Sequence, residues 1–197
     1  CCRPVLSAGP DGAVALSYRG GSHDVRDPRL ALSADGGREF ATDTLISRDG
    51  WTTPACPVQG PSLVWNRAQG GHIAWFTGAR PAGVYPVAWR RDGGAIGMRR
   101  AIDDSLGDAD HPRVALLGEA LLIGVMARAP GDAARRTFAV RALEPGGALS
   151  GWTFLGADAT SAVLAGAGAH QMFSCWIEAE DGHLRLRLAA LTRRGNV

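Results

Sequence analysis

Apolar residues alternate with polar or small ones in short runs along the whole chain, and Gly- and Pro-rich turns separate the runs. This spacing predicts β-strands rather than helices. One class of run is nearly continuous in apolar residues: Ala13–Tyr18, His72–Phe76, Leu121–Met126 and Met172–Ile177. Continuous runs of this kind fit strands buried on both faces. Each is followed by a second class, Arg29–Leu32, Val84–Trp89, Thr137–Ala142 and Leu184–Ala189. The last alternates Leu with Arg and so predicts a half-exposed strand. Shorter runs precede each pair: Arg3–Leu6, Pro61–Trp65, Pro112–Leu116 and Thr160–Leu164. Pro86 falls inside a run of the second class, which places a bulge or an edge there. The best helical pattern, Arg99–Leu106, is short and polar.

A turn cassette punctuates the runs. Asp35-Gly36-Gly37 recurs as Asp92-Gly93-Gly94 after 57 residues and as Pro145-Gly146-Gly147 after a further 53. A period near 50 residues built from short strands predicts an all-β chain of repeated four-stranded antiparallel blades, a β-propeller. The repeat divides one domain, residues 1–197, into units of about 1–55, 56–108, 109–158 and 159–197. The fourth unit shows no outer strand after its third. A further chain or further blades are expected to complete the array, because a propeller leaves no open sheet edges.

Composition narrows the function classes. The 46% hydrophobic content supports a sizeable core, and the 27 Gly fit a turn-rich chain. A formal charge of +2 gives no reason to expect a nucleic-acid partner. No run is long enough to cross a membrane as a helix. All 21 basic residues are Arg, so Schiff-base lysine chemistry is excluded within these residues. The sequence opens on Cys1 rather than Met, which suggests a processed form or a fragment. The cysteines Cys1, Cys2, Cys56 and Cys175 suggest an oxidising, exported setting, periplasmic or secreted. Cys2 with Cys56 is the favoured disulfide, and Cys175, in an apolar run, reads as a buried thiol. Convergence of Cys1, Cys2 and Cys56 on a soft metal such as Cu(I) is the lesser alternative, because their spacing matches no standard zinc pattern. No cofactor is expected.

The first cassette extends to Ser33-Ala34-Asp35-Gly36-Gly37-Arg38-Glu39-Phe40 and resembles the Asp-box, or BNR repeat, of sialidases through Ser33, Asp35, Gly37 and Phe40. Cys1-Cys2-Arg3-Pro4, Arg26-Asp27, Asp49-Gly50-Trp51, Cys56-Pro57, Trp75-Phe76-Thr77-Gly78 and His111-Pro112 strengthen the resemblance, which is to bacterial exported sialidase-like proteins and covers roughly residues 1–155. It implies a six-bladed propeller of about twice this length, of which the chain is the C-terminal part. It also implies that the cassettes lie on a structural rim, with Phe40 as an anchor, and that ligands meet the opposite end of the blades.

Candidate ligand-binding residues at that opposite end are Arg3, Arg19, Arg26, Asp27, Trp51, Gln59, His111 and Arg113. Arg26 and Asp27 could form an ion pair there, and Trp51 could stack a sugar ring or pack between blades. A sialidase requires an arginine clamp on the substrate carboxylate, a Tyr nucleophile assisted by Glu, and an Asp acid/base. Tyr18, Asp27 and Asp49 are the candidates, and no Glu stands obviously beside Tyr18. The motif carrying a clamp arginine near the start of sialidases is absent, and Val58 stands where related proteins often carry His. The preferred expectation is therefore an exported, non-catalytic binding module whose partner is a carbohydrate or another envelope protein. The alternatives are an exo-α-sialidase or related glycoside hydrolase with residues in missing blades, a subunit of a larger envelope complex, and a copper-related periplasmic protein.

Overall fold

A computed structural model describes residues 3–66, 70–96, 101–102, 106, 108–129, 131–156 and 158–192. Among the described residues, fifteen strands form four antiparallel sheets, and the chain divides into two compact units, Cys1–Asp104 and Ser105–Val197.

The first unit holds two sheets. β1 (Val5–Ala8), β2 (Val14–Arg19), β3 (Pro28–Ser33) and β4 (Thr42–Leu45) lie side by side in sequence order. β5 (Ser62–Asn66), β6 (Gly70–Thr77), β7 (Gly83–Arg90) and β8 (Ala95–Ile96) repeat the arrangement. Their common core joins small residues of the first sheet, Ala13 and Ala15 with Leu30 and Leu32, to bulky residues of the second, Trp65, Ile73, Trp75, Tyr85 and Trp89. Small-to-large interdigitation of this kind fills the space between sheets without voids. The rings of Trp65 and Trp89 meet edge-on at 4.8 Å between centroids, and Trp89 also lies where a Cβ on Gly71 would have to be. That close approach explains a glycine inside an otherwise apolar strand.

The second unit holds β9 (Asp110–Leu117), β10 (Ala120–Ala129), β11 (Asp132–Leu143) and β12 (Thr153–Leu155), followed by the three-stranded sheet of β13 (Ala159–Ala167), β14 (Gln171–Glu180) and β15 (His183–Thr192). Phe138, Met126 and Val140 of the former sheet pack against Ala162, Met172 and Trp176 of the latter. Phe138 fills the space left by Gly124.

The three cassettes sit where the repeat placed them, between the third and fourth strands of their sheets. Ser33 and Asp35 organise the first. The Ser33 hydroxyl donates to Asp35 Oδ1 at 2.7 Å and accepts from the Gly37 N–H at 2.9 Å. Asp35 Oδ1 also accepts from the N–H groups of Arg38 and Glu39, each at 3.0 Å. The Ser33 hydroxyl and these amides hold the Asp35 carboxyl below the usual carboxylate range. Gly36 and Gly37 adopt φ +78° and +86°, the second turn has its positive φ at the first glycine, Gly93 (+86°), and the third at the second glycine, Gly147 (+85°). A positive φ at one or both glycines of each turn is what the Gly-Gly pattern permits.

Several expectations need correction. Burial on both faces holds for β6 and β10 but not for β2 or β14, where every second residue is only partly covered. Cys175 is half-buried rather than buried. Leu184, Leu186 and Leu188 of β15 are 72–74% exposed, so the apolar side of this alternating strand is itself uncovered. Phe40 is half-buried and lines a cavity instead of joining the core. At Pro86, where a bulge or an edge was expected, the edge is found: Pro86 pairs with Ala74 of β6 without a bulge, and β8 pairs only with Ala88 and Trp89. The carbonyl of Val84 accepts from Ile102, and Ala88 pairs with Ile96, so the even-numbered backbone groups of β7 face away from β6. The imide nitrogen of Pro86 therefore points beyond the paired length of β8, and no ladder bond is lost. Of the helical pattern at Arg99–Leu106, Ala101, Ile102 and Leu106 are described and none is helical, and the remainder lies outside the described residues.

Candidate functional site

One end of the first unit gathers most of the residues singled out from the sequence. The β2–β3 turn (20–27), the segment before β5 (46–61) and the β6–β7 turn (78–82) meet there, and Arg19 ties them together. Its side chain is buried at the end of β2. Nε donates to the carbonyl of Gln59 at 2.8 Å, Nη1 to that of Arg26 at 2.9 Å and Nη2 to that of Phe76 at 2.5 Å. A guanidinium has a fixed fan of donors, so one side chain sets the spacing of three backbone segments. Its plane also lies over the ring of Trp51, 5.1 Å from the centroid, while Trp51 meets Phe76 edge-on at 5.4 Å. Gly78 leaves room for the Trp51 ring. Trp51 is thus part of the packing at this end.

The acidic candidates are engaged in the same assembly. Asp27, 8% exposed, accepts the Gly50 N–H at 2.8 Å. Asp49 uses both oxygens, accepting the Ser47 hydroxyl at 2.6 Å and the Trp75 indole N–H at 2.7 Å. Arg26 pairs with Asp24 at 3.2 Å, not with Asp27, and its backbone N–H donates to the Trp51 carbonyl at 2.8 Å. Arg3 is exposed, and its backbone carbonyl lies against Gly60.

A cavity of about 760 Å³ opens beside this assembly and runs along the uncovered flank of β1–β4. Leu16, Ala31, Phe40 and Pro4 supply apolar walls, and Tyr18, Arg19, Arg26 and Asp43 supply polar groups. Tyr18 and Asp43 come together because β2 and β4 flank β3, with Tyr18 opposite Arg29 and Ala31 opposite Asp43. Arg29 Nε donates to Asp43 Oδ1 at 2.9 Å and holds that carboxyl below its ordinary range. Burial and a hydrogen bond to Asp43 push the Tyr18 phenol above its ordinary value. A phenol shifted in that direction keeps its proton and serves as a hydrogen-bond donor. Asp43, Arg29 and Phe40 were not singled out as ligand-facing from the sequence. The strand alternation that puts Leu16 and Tyr18 on one side of β2 was the signal that could have found them.

In the second unit, Arg113 plays a part like that of Arg19. Its Nε donates to the carbonyl of Ala162 in β13 at 2.8 Å, and Nη1 to that of Pro112 at 2.9 Å. His111 sits at φ +47° with Nδ1 2.8 Å from Asp110 Oδ1, and Asp110 is also clasped by both terminal nitrogens of Arg136. Among the described residues, no group of three or more His, Cys, Asp or Glu side chains is placed to hold a metal ion. Cys1 and Cys2, and with them the disulfide and metal alternatives, lie outside the described residues. Also among the described residues, no helix is long and apolar enough to cross a membrane.

No protein-family model and no curated protein matches the sequence. Solved structures do match in fold. A Hadza microbial sialidase superposes with a TM-score of 0.67 at 12% identity, over 98% of this chain and 46% of its own. An exo-1,5-α-L-arabinanase from a bovine ruminal metagenomic library gives 0.57 at 10% identity, over 97% of this chain and 77% of its own. An α-L-arabinofuranosidase from Fusarium graminearum gives 0.55 at 14% identity, over 96% of this chain and 65% of its own. The chain has the β-propeller fold of these glycoside hydrolases, and it spans less than half the length of the sialidase.

Proposed function

We propose that this chain is part of an exported, sialidase-like BNR propeller that binds carbohydrate without hydrolysing it. The observation that carries the reading is the cavity beside the Arg19 assembly, with its apolar walls and its few convergent polar groups, Tyr18, Arg26 and Asp43. That combination suits a sugar ring, whose C–H face seeks apolar or aromatic surface while its hydroxyls seek oriented donors and acceptors. Arg26 brings a positive charge that suits an acidic sugar. The engagement of the acidic candidates supports the non-catalytic reading: Asp27 accepts a backbone N–H and Asp49 the Trp75 indole N–H. The turn at Ser33–Phe40 serves as an Asp-box that stiffens the blade rim. Export to the periplasm or beyond fits a Cys2–Cys56 disulfide, and a second envelope protein could share the assembly.

The test is a pair of measurements on N-acetylneuraminic acid and arabino-oligosaccharides. Calorimetry is expected to show binding of one of them, weakened at least tenfold by Arg26→Met, with no release of product from a sialoside or an arabinoside. Binding indifferent to Arg26, or none at all, would remove the reading. The second reading is a glycoside hydrolase whose remaining catalytic groups lie beyond these residues. It is favoured by the likeness in fold to a sialidase and an arabinanase, and by the 46% span of the sialidase. Turnover by the longer protein, lost on Tyr18→Phe, would replace the first reading with the second.

A further inference from the structure

The segment entering β9 carries a side-chain cluster separate from the cavity of the first unit. Asp110 pairs with Met126 and Arg113 with Gly124, so His111 and Pro112 both face Val125 and form a β-bulge. Bulges re-aim a side chain at the end of a strand. His111 also adopts φ +47°, a left-handed backbone that a residue with a Cβ keeps only when its surroundings hold it there. Two ion pairs do so. Arg128 binds Asp108, both terminal nitrogens of Arg136 bind Asp110, and these arginines stand opposite each other on β10 and β11. Like charges so placed repel, and the two carboxylates of the entering segment offset them.

The bulge itself does not require a histidine. β13 repeats it in the last sheet, where Ala159 pairs with Glu178 and Ser161 with Ile177. Ala159 and Thr160 take the places there that Asp110 and His111 take in β9. The Asp–His pair is therefore an addition to β9, and its geometry fixes the ring. Nδ1 lies 2.8 Å from Asp110 Oδ1, and a carboxylate only accepts, so Nδ1 carries the proton. The lone pair of the neutral ring is then on Nε2. The Asp110 side chain is 12% exposed and that of His111 38%, so the orienting partner is covered while the ring reaches solvent.

We infer that His111 Nε2 accepts a hydroxyl of an uncharged sugar, at a second contact site that lies in the second unit. The inference rests on the carbohydrate reading but not on the cavity beside Arg19. Charge selects the ligand class. Asp110 offsets Arg136, Asp108 offsets Arg128, and Arg113 donates to the carbonyls of Ala162 and Pro112. Each charged group beside the ring is engaged within the protein. What faces outward is an oriented, uncharged acceptor, which suits a neutral O–H donor.

The experiment uses lactose as the uncharged probe and the full chain at about pH 8, above the ordinary imidazole range. Ring-nitrogen NMR is expected to show His111 protonated on Nδ1 and bare on Nε2. Lactose should move the Nε2 resonance upfield, and N-acetylneuraminic acid should leave it in place. Asp110→Asn, which no longer fixes the tautomer, should weaken lactose binding about fivefold, the worth of one neutral hydrogen bond, and Thr160→Val should not weaken it. His111→Leu keeps the Asp110–Arg136 pair and should abolish the response. Unchanged lactose affinity in His111→Leu, a proton on Nε2 of the free protein, or an equal shift with the acidic sugar would overturn the inference. A silent His111 while N-acetylneuraminic acid still moves Tyr18 and Arg26 would overturn it and leave the cavity reading standing. Silence at both places would remove both.

Discussion

Trp75 and Trp176 occupy matching places in β6 and β14, each pointing into the core shared with the preceding sheet. Their indole nitrogens differ. That of Trp75 donates to Asp49, which links the core to the loop end of the first unit, while that of Trp176 is buried without a hydrogen-bond partner. The comparison separates two ways of finishing a blade. In the first unit, polar side chains fasten the loops at the strand ends, and a cavity with oriented polar groups results. In the last sheet, Arg113 fastens β13 through the Ala162 carbonyl, and the leucines of β15 lie on an exposed apolar face.

The largest expected effect tests the apolar design. Phe138→Ala should lower the unfolding free energy by about 4 kcal/mol, because the ring is fully buried and fills the space over Gly124. Denaturant titration of the second unit's signal checks it. Arg19→Met tests the polar design. It leaves the carbonyls of Gln59, Arg26 and Phe76 without this donor and should cost about 3 kcal/mol. Loss confined to the packing of Trp51, with no change in stability, would break the contrast. A smaller effect sharpens it: Trp75→Phe should cost about 1–2 kcal/mol through loss of the indole hydrogen bond to Asp49, whereas Trp176→Phe removes a donor that has no partner and should cost less. Equal costs would erase the distinction.

The smallest effect is one of pH. Burial holds the His72 imidazole below its ordinary value of 6.5. The unfolded chain therefore binds a proton that the folded chain resists. Stability from this residue is fully present above about pH 6.5 and is lost as pH falls from there towards the lower folded value. A melt at pH 5 should lie below one at pH 7, and His72→Leu should narrow the gap. An unaltered gap would assign the acid sensitivity to other groups.

The sequence's alternation and its Gly-Gly spacing made the four sheets legible, because turn positions with positive φ and period-two strands are local properties. The loop-end assembly was partly legible. Arg19, Arg26, Asp27, Asp49, Trp51 and Gln59 could be placed at one end of the blades, but their partners could not. Arg26 pairs with Asp24, and Asp49 is claimed by Trp75, across 26 residues. Such choices depend on how three loops meet. The exposure of Leu184, Leu186 and Leu188 was equally hidden, since an alternating strand looks the same whether its apolar side is covered by a neighbouring sheet or not.

The most direct test of the binding account is a two-dimensional NMR titration of the isotopically labelled protein with N-acetylneuraminic acid and arabinobiose. Shift changes clustered on Leu16, Tyr18, Arg26, Phe40 and Asp43, with the sugar recovered intact, are the predicted result. Changes centred on the second unit, or steady conversion of either sugar's glycoside, would contradict it.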